Sequence, residues 1–127
     1  MPKNLDPQNW NPAIEVKEYQ FDNGMRLLVL PNASLPIASF QVHYGVGSRN
    51  ERQGITGISH LFEHMMFRGS KDLGPEEFAR IIQAKGGEVN AFTTMDNTSY
   101  FENIPAEHLE LVVRLEADRL VNLDLTQ

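Results

Sequence analysis

Two histidines four residues apart, with a glutamate between them, place the strongest constraint on this chain. Residues four apart lie one turn above each other in an α-helix, so His60 and His64 reach the same point if this segment is helical. Glu63 follows His60 by three residues and lies at the edge of the same helix face. Two neutral imidazoles that hold a metal ion, beside a carboxylate that takes a proton from water, are the chemistry of a hydrolytic zinc site. The segment therefore predicts a helix that carries two metal ligands and a general base.

The residues around this motif also favour a helix. Apolar side chains recur at helical spacing, namely Ile58, Leu61, Phe62, Met65 and Met66. Thr56 is the expected N-cap and Gly69 the expected terminator, which predicts a helix over about residues 57–68. The alternative is that both histidines are ordinary surface or core residues. It is disfavoured, because the pattern H-x-x-E-H arises by chance in well under ~1% of chains of this size.

Composition excludes several other classes of protein. The chain is 41% hydrophobic and 22% charged, which is typical of a globular domain. Its net charge of -6 disfavours a nucleic-acid partner, which needs a basic surface. It has no cysteine, so any metal must be held by nitrogen and oxygen ligands.

We expect neither a membrane span nor a signal peptide in this sequence. No apolar run approaches the 18 or so residues that a transmembrane helix needs. Residues 1–11 are polar and contain prolines, so they lack the apolar core of a signal peptide. We expect a soluble protein, and the compartment stays open between the cytoplasm and the periplasm, where a leader would have been removed.

The order of predicted elements is β-β-β-α-α-β-β-α. Residues 14–21 and 25–30 flank an Asp22-Asn23-Gly24 turn, which is a strong hairpin signal. Residues 37–46 alternate between apolar and polar side chains, as in a strand with one buried face. The remaining predicted elements are a helix from Pro75 to about residue 85, strands over 88–94 and 98–103, and a helix over 105–121. This order predicts an α+β fold, a largely antiparallel sheet with helices packed on one face.

Several segments of the chain resemble the pitrilysin-type zinc peptidases of family M16, which share the inverted motif H-x-x-E-H. The motif HLFEH is preceded by GSRNE at 47–51 and followed by MMFRGS at 65–70. The later GG at 86–87 and NA at 90–91 are similar to the second conserved block of that family. The resemblance extends over roughly residues 19–120, with the segments in the expected order.

The resemblance implies a zinc metalloendopeptidase with one zinc ion. His60 and His64 would be zinc ligands, and Glu63 the general base that activates water for attack on the peptide bond. Asn90 and Ala91 would lie on an edge strand that binds the peptide substrate as an added β-strand. The family also implies a second homologous domain or subunit that closes around the substrate.

The resemblance also implies a third zinc ligand, which we expect to lie beyond this chain. In the family it is a glutamate roughly 75 residues beyond the second histidine, whereas only 63 residues follow His64. Nothing in the spacing selects one of the internal glutamates, which we expect on strands or on a solvated helix face: Glu88, Glu102, Glu107, Glu110 and Glu116. The chain is therefore predicted to be the amino-terminal part of a longer peptidase and inactive by itself. Residues 1–13 would be an extension, and residues 14–127 a domain cut before its third ligand.

Two alternatives from other functional classes remain. One is a non-catalytic structural or partner subunit with the same fold, which would usually have lost parts of the motif. The other is a small, complete metal-binding protein, which would bind zinc tightly with these 127 residues alone. His43 and His108 support neither alternative, since both are expected to be surface residues.

Overall fold

The computed structural model describes residues 15–125, and the proposed extension over residues 1–13 lies outside them. The chain divides into two compact units, Met1–Leu35 and Pro36–Gln127. The predicted order of strands and helices is confirmed. The elements are β1 (Lys17–Gln20), β2 (Arg26–Val29), β3 (Ile37–Tyr44), α1 (Ile58–Met65), α2 (Glu77–Ala84), β4 (Glu88–Thr93), β5 (Thr98–Pro105) and α3 (Leu109–Asn122).

The first unit contains an antiparallel hairpin formed by β1 and β2. Lys17 pairs with Val29 at one end of the hairpin and Gln20 with Arg26 at the other. The predicted turn is confirmed, because Gly24 has a φ of 85° and the Asn23 side chain accepts a hydrogen bond from the Met25 N–H at 3.0 Å. A positive φ at this position favours glycine. Both strands are shorter than predicted.

The second unit is a three-stranded antiparallel sheet in the order β3-β5-β4, with the helices on one face. The alternating burial of β3 follows the predicted pattern. Side chains from α2, β5 and α3 form the core between sheet and helices: Phe78, Ile82, Ile104, Val112 and Leu115, with Phe40 and Val89 packed against them. The predicted fold class is therefore confirmed. Across residues 15–125, no helix has the length and apolar character that crossing a bilayer requires.

Helix α1 is shorter than predicted at both ends. Gly57, with a φ of 88°, occupies the N-cap position expected for Thr56, and it has no side chain to cap the helix. The helix ends at Met65, before Gly69, whose φ of 134° belongs to the following turn. A Cβ at Gly69 would lie 2.7 Å from the Leu73 carbonyl oxygen, so this turn requires glycine.

The other two helices also begin later than predicted. Helix α2 begins at Glu77 because Glu76 adopts a left-handed φ of 62°, so Pro75 is not its first residue. A 3₁₀ turn over Ala106–His108 precedes α3. Val112 and Leu115 of α3 are buried, whereas three other apolar residues of this helix are exposed: Leu109, Val113 and Leu120.

Candidate active site

Helix α1 brings the two histidines of the motif together. The Nε2 atoms of His60 and His64 lie 3.0 Å apart, and both side chains are exposed. Zinc binds histidine nitrogens at about 2.0–2.1 Å, so two nitrogens at this separation can bind one ion. The two imidazole nitrogens therefore fit a zinc ion.

Glu63 of the same helix is half-buried and contacts the sheet. Its Oε2 accepts a hydrogen bond of 2.5 Å from the Thr93 hydroxyl at the end of β4. The carboxylate is therefore fixed between α1 and β4, one residue from His64. His60, Glu63 and His64 therefore lie together at the edge of the sheet.

An open cavity of about 610 Å³ lies between α1 and β4. This volume is within the range of about 300–1,000 Å³ found for ligand sites. The lining residues come from α1, β4 and the flanking loops: Ser48, Glu51, Gly57, His60, Glu63, Ala91, Phe92, Thr93, Thr94 and Met95. His60, Glu63 and Ala91 thus share the cavity, while His64 and Asn90 are not among its lining residues.

Strand β4 has one edge along this site that pairs with no other strand of residues 15–125. It is the outer strand of the sheet, and the Thr94 N–H donates to the Asn97 carbonyl oxygen at 2.8 Å where β4 turns into β5. Antiparallel pairs alternate between bonded and non-bonded positions, so the N–H and C=O groups of Ala91 and Thr93 point away from β5. The Ala91 N–H donates instead to the Asn90 side chain at 2.9 Å. Asn90 therefore lies on the edge strand, where its side chain accepts a hydrogen bond from the main chain of Ala91.

Glu51 caps α1 from a distance, which the sequence analysis did not predict. Its two carboxylate oxygens accept hydrogen bonds from the N–H groups of Gly57 at 2.7 Å and Ser59 at 2.9 Å. The Ser59 bond first, and the Gly57 bond second, lower the pKa of Glu51 below its ordinary value. The sequence signal for this cap is an acidic residue a few positions before the start of the helix.

The loop that carries Glu51 is tied to the β4–β5 turn. The N–H of Ser48 donates to the Thr94 carbonyl oxygen at 3.0 Å, and that of Arg49 donates to the Met95 carbonyl oxygen at 2.9 Å. A Cβ at Gly47 would lie 2.4 Å from the Thr94 oxygen, so only glycine allows this close approach. The start of α1 and the end of β4 are thus held together by main-chain contacts.

Two of the internal glutamates are buried, Glu102 on its predicted strand and Glu116 on α3. Glu102 and Glu116 are 0% and 5% exposed, so the prediction of a solvated face is wrong for Glu116. Both lie beside the buried Arg119, which is hydrogen-bonded to Glu116 and has its Nη2 atom 3.6 Å from Glu102 Oε1. We call these three residues the buried cluster. Within residues 15–125, no group of three or more His, Asp or Glu side chains could hold a metal ion.

Comparison with known proteins identifies similar chains. Residues 27–127 match the family described as "Insulinase (Peptidase family M16)". The "uncharacterized zinc protease YmxG" of Bacillus subtilis is 36% identical over 81% of this chain and 25% of its own length. The chain thus spans about a quarter of the length of this curated relative.

Solved structures show the same fold. A protease from Helicobacter pylori superimposes with a TM-score of 0.87 and 32% identity, over 90% of this chain and 28% of that one. Pitrilysin superimposes with a TM-score of 0.79 over 87% of this chain and 12% of its own, at 24% identity. At that identity the second likeness supports the fold alone.

Proposed function

Because the chain belongs to peptidase family M16, the insulinase family, we propose that it provides the zinc-binding part of a metalloendopeptidase. The observation that carries the proposal is the convergence of His60 and His64 on one point, with their Nε2 atoms 3.0 Å apart beside the Glu63 carboxylate. The similarity to zinc proteases is in agreement with this chemistry.

His60 and His64 would hold the zinc ion. When bound, zinc supplies a Lewis acid that polarises the scissile carbonyl and makes water more acidic. A catalytic zinc has three protein ligands, and the described residues contain no group of three suitable side chains. The third ligand, a glutamate in the family pattern, is therefore proposed to come from outside residues 15–125. By themselves the two histidines would hold zinc weakly, and the 127 residues would hydrolyse little.

Glu63 would be the general base. Its carboxylate lines the same cavity as His60, so it is placed to take a proton from the attacking water and pass it to the leaving amine. The Thr93 hydrogen bond involves only Oε2, which leaves Oε1 for the water. Replacing this carboxylate would therefore remove proton transfer without removing a zinc ligand.

The edge of β4 would bind the peptide substrate as an added strand. The outward-pointing N–H and C=O groups of Thr93 and the C=O group of Ala91 offer main-chain hydrogen bonds to an extended peptide beside Glu63. The Asn90 amide lies at the same edge through its bond with the Ala91 N–H. The small side chain of Ala91 would let the substrate backbone approach the cavity closely.

The experiment that tests this function measures zinc content and peptide hydrolysis in the full-length gene product. His60→Ala and His64→Ala should each abolish both, since either change leaves a single imidazole. His43→Ala is the matched control, because His43 is exposed and lies on the sheet face opposite the helices, where its Nδ1 atom contacts Ser99 Oγ at 2.6 Å. Wild-type protein that binds zinc but hydrolyses no peptide would favour a non-catalytic subunit instead.

A further inference from the structure

We propose that Thr93 is a positioning residue for Glu63, an inference that rests on the function proposed above. Thr93 is the last residue of β4 and is half-buried on the sheet face that the helices cover. Its hydroxyl donates to Glu63 Oε2 at 2.5 Å, which is the contact that ties this carboxylate to the sheet.

The neighbouring Thr98 leaves the Thr93 hydroxyl free for this role. A threonine hydroxyl has a single hydrogen to donate. The buried Thr98 directs its hydrogen to the Val46 carbonyl oxygen at 2.9 Å, and its own oxygen lies 3.4 Å from that of Thr93. Thr98 therefore does not compete for the hydrogen that Thr93 donates to Glu63.

A fixed carboxylate matters because glutamate has several rotatable bonds, and each unproductive rotamer lowers the fraction of Glu63 that faces the attacking water. Thr93 holds one carboxylate oxygen and leaves the other for the water. When Glu63 carries the accepted proton on Oε1, its Oε2 remains an acceptor, so the Thr93 hydroxyl continues to donate to it. Thr93 keeps its own proton throughout and thus holds Glu63 in both states.

The test compares Thr93→Val with Thr93→Ser in the full-length gene product. Valine keeps the shape of threonine and loses the hydroxyl, whereas serine keeps the hydroxyl and loses the methyl group. Thr93→Val should lower kcat by roughly 10- to 100-fold, with KM within about twofold, because no substrate contact is lost. Thr93→Ser should stay close to wild type, and zinc affinity, measured by competition with a chromophoric chelator, should be unchanged in both variants.

A second measurement does not depend on hydrolysis. In the metal-free protein, carbon relaxation of the Glu63 side chain should show greater mobility in Thr93→Val than in wild type and Thr93→Ser. Equal Glu63 mobility in all three proteins, or equal kcat in both variants, would overturn the role of Thr93. If no protein hydrolyses peptide but the Glu63 side chain is more mobile only in Thr93→Val, the proposed function is wrong. The positioning contact between Thr93 and Glu63 would then still stand.

Discussion

Two groups of ionisable side chains lie on the helix-covered side of the sheet, and they differ chiefly in burial. His60 and His64 are exposed and Glu63 is half-buried beside an open cavity. The buried cluster of Glu102, Glu116 and Arg119 is at most 5% exposed. Both groups combine glutamate with basic side chains. Water can reach only the first group, for which we propose a chemical role, whereas the second group is part of the core.

The buried cluster contains a carboxyl group with a strongly perturbed pKa. Burial, and secondly the neighbouring Glu116 carboxylate, raise the pKa of Glu102 to about 9. A strongly perturbed pKa often marks a functional site when the group lies in a cleft. Glu102 does not line the cavity, and the Arg119 guanidinium beside it packs over the rings of Phe78 at 4.3 Å and Tyr100 at 4.5 Å. Its perturbation therefore reflects core packing.

The largest effect on stability should come from Arg119→Met. Removing the cation leaves the buried Glu116 without its partner, which costs about 3–5 kcal/mol of unfolding free energy. Chemical denaturation at neutral pH measures this cost. Arg114→Met on the same helix is the matched control, because Arg114 pairs with Glu110 in solvent, where such a pair contributes about 0.3–0.5 kcal/mol. Equal losses in the two variants would contradict a structural role for the buried cluster.

A smaller effect is expected for Glu102→Gln. At neutral pH Glu102 is protonated in the folded state, so a neutral amide should cost less than about 1 kcal/mol. The pH dependence of stability is more diagnostic. The pKa of Glu102 is raised from its ordinary value of 4.5 to about 9, so the folded state holds a proton on Glu102 between these two pH values. Wild-type stability therefore falls as pH rises from 4.5 to about 9.

Unfolding free energies of wild type and Glu102→Gln at pH 5, 7 and 9 would measure this dependence. The variant should lose the slope that Glu102 contributes, whereas Glu110→Gln, an exposed change on α3, should keep it. An unchanged slope in Glu102→Gln would show that Glu102 is ionised in the folded protein at neutral pH.

The smallest effect is expected for Glu51→Gln, at the start of α1. Its lowered pKa means that the carboxylate stabilises the folded protein above pH 4.5 and that this stabilisation is lost as pH falls through the folded-state pKa. The variant should melt a few degrees lower at neutral pH and show a weaker loss of stability in acid. Melting curves at pH 7 and pH 4 check this, with Glu110→Gln again as control. Identical curves for wild type and Glu51→Gln would contradict the capping role.

The sequence predicted the elements well and the helix ends poorly. Alternation along residues 37–44 and the Asn23-Gly24 turn depend on local chemistry, so they are visible in the sequence. The predicted start of α1 was wrong because the helix is capped by Glu51, which lies outside it. The position of Glu51 depends on the loop that contains Gly47. A cap that lies several residues before its helix leaves no recognisable pattern in the sequence next to the helix start.

In the candidate site, too, local features were predictable from the sequence and contacts between distant residues were not. His60, Glu63 and His64 were found because helical periodicity alone places them together. Thr93 was not, because its contact with Glu63 joins residues 30 positions apart in the chain. The buried positions of Glu102 and Glu116 were missed for a similar reason, since their partner Arg119 is recognised only when β5 and α3 pack together.

The most direct test of the distinction between a chemical site and a structural cluster is Glu63→Gln in the full-length gene product, with zinc content and peptide hydrolysis measured on the same sample. The account predicts zinc content equal to wild type and hydrolysis lower by roughly 10²- to 10⁴-fold, because a general base is lost while both histidines remain. Loss of zinc together with activity would make Glu63 a ligand or a structural residue, and retained hydrolysis would show that another group takes the proton.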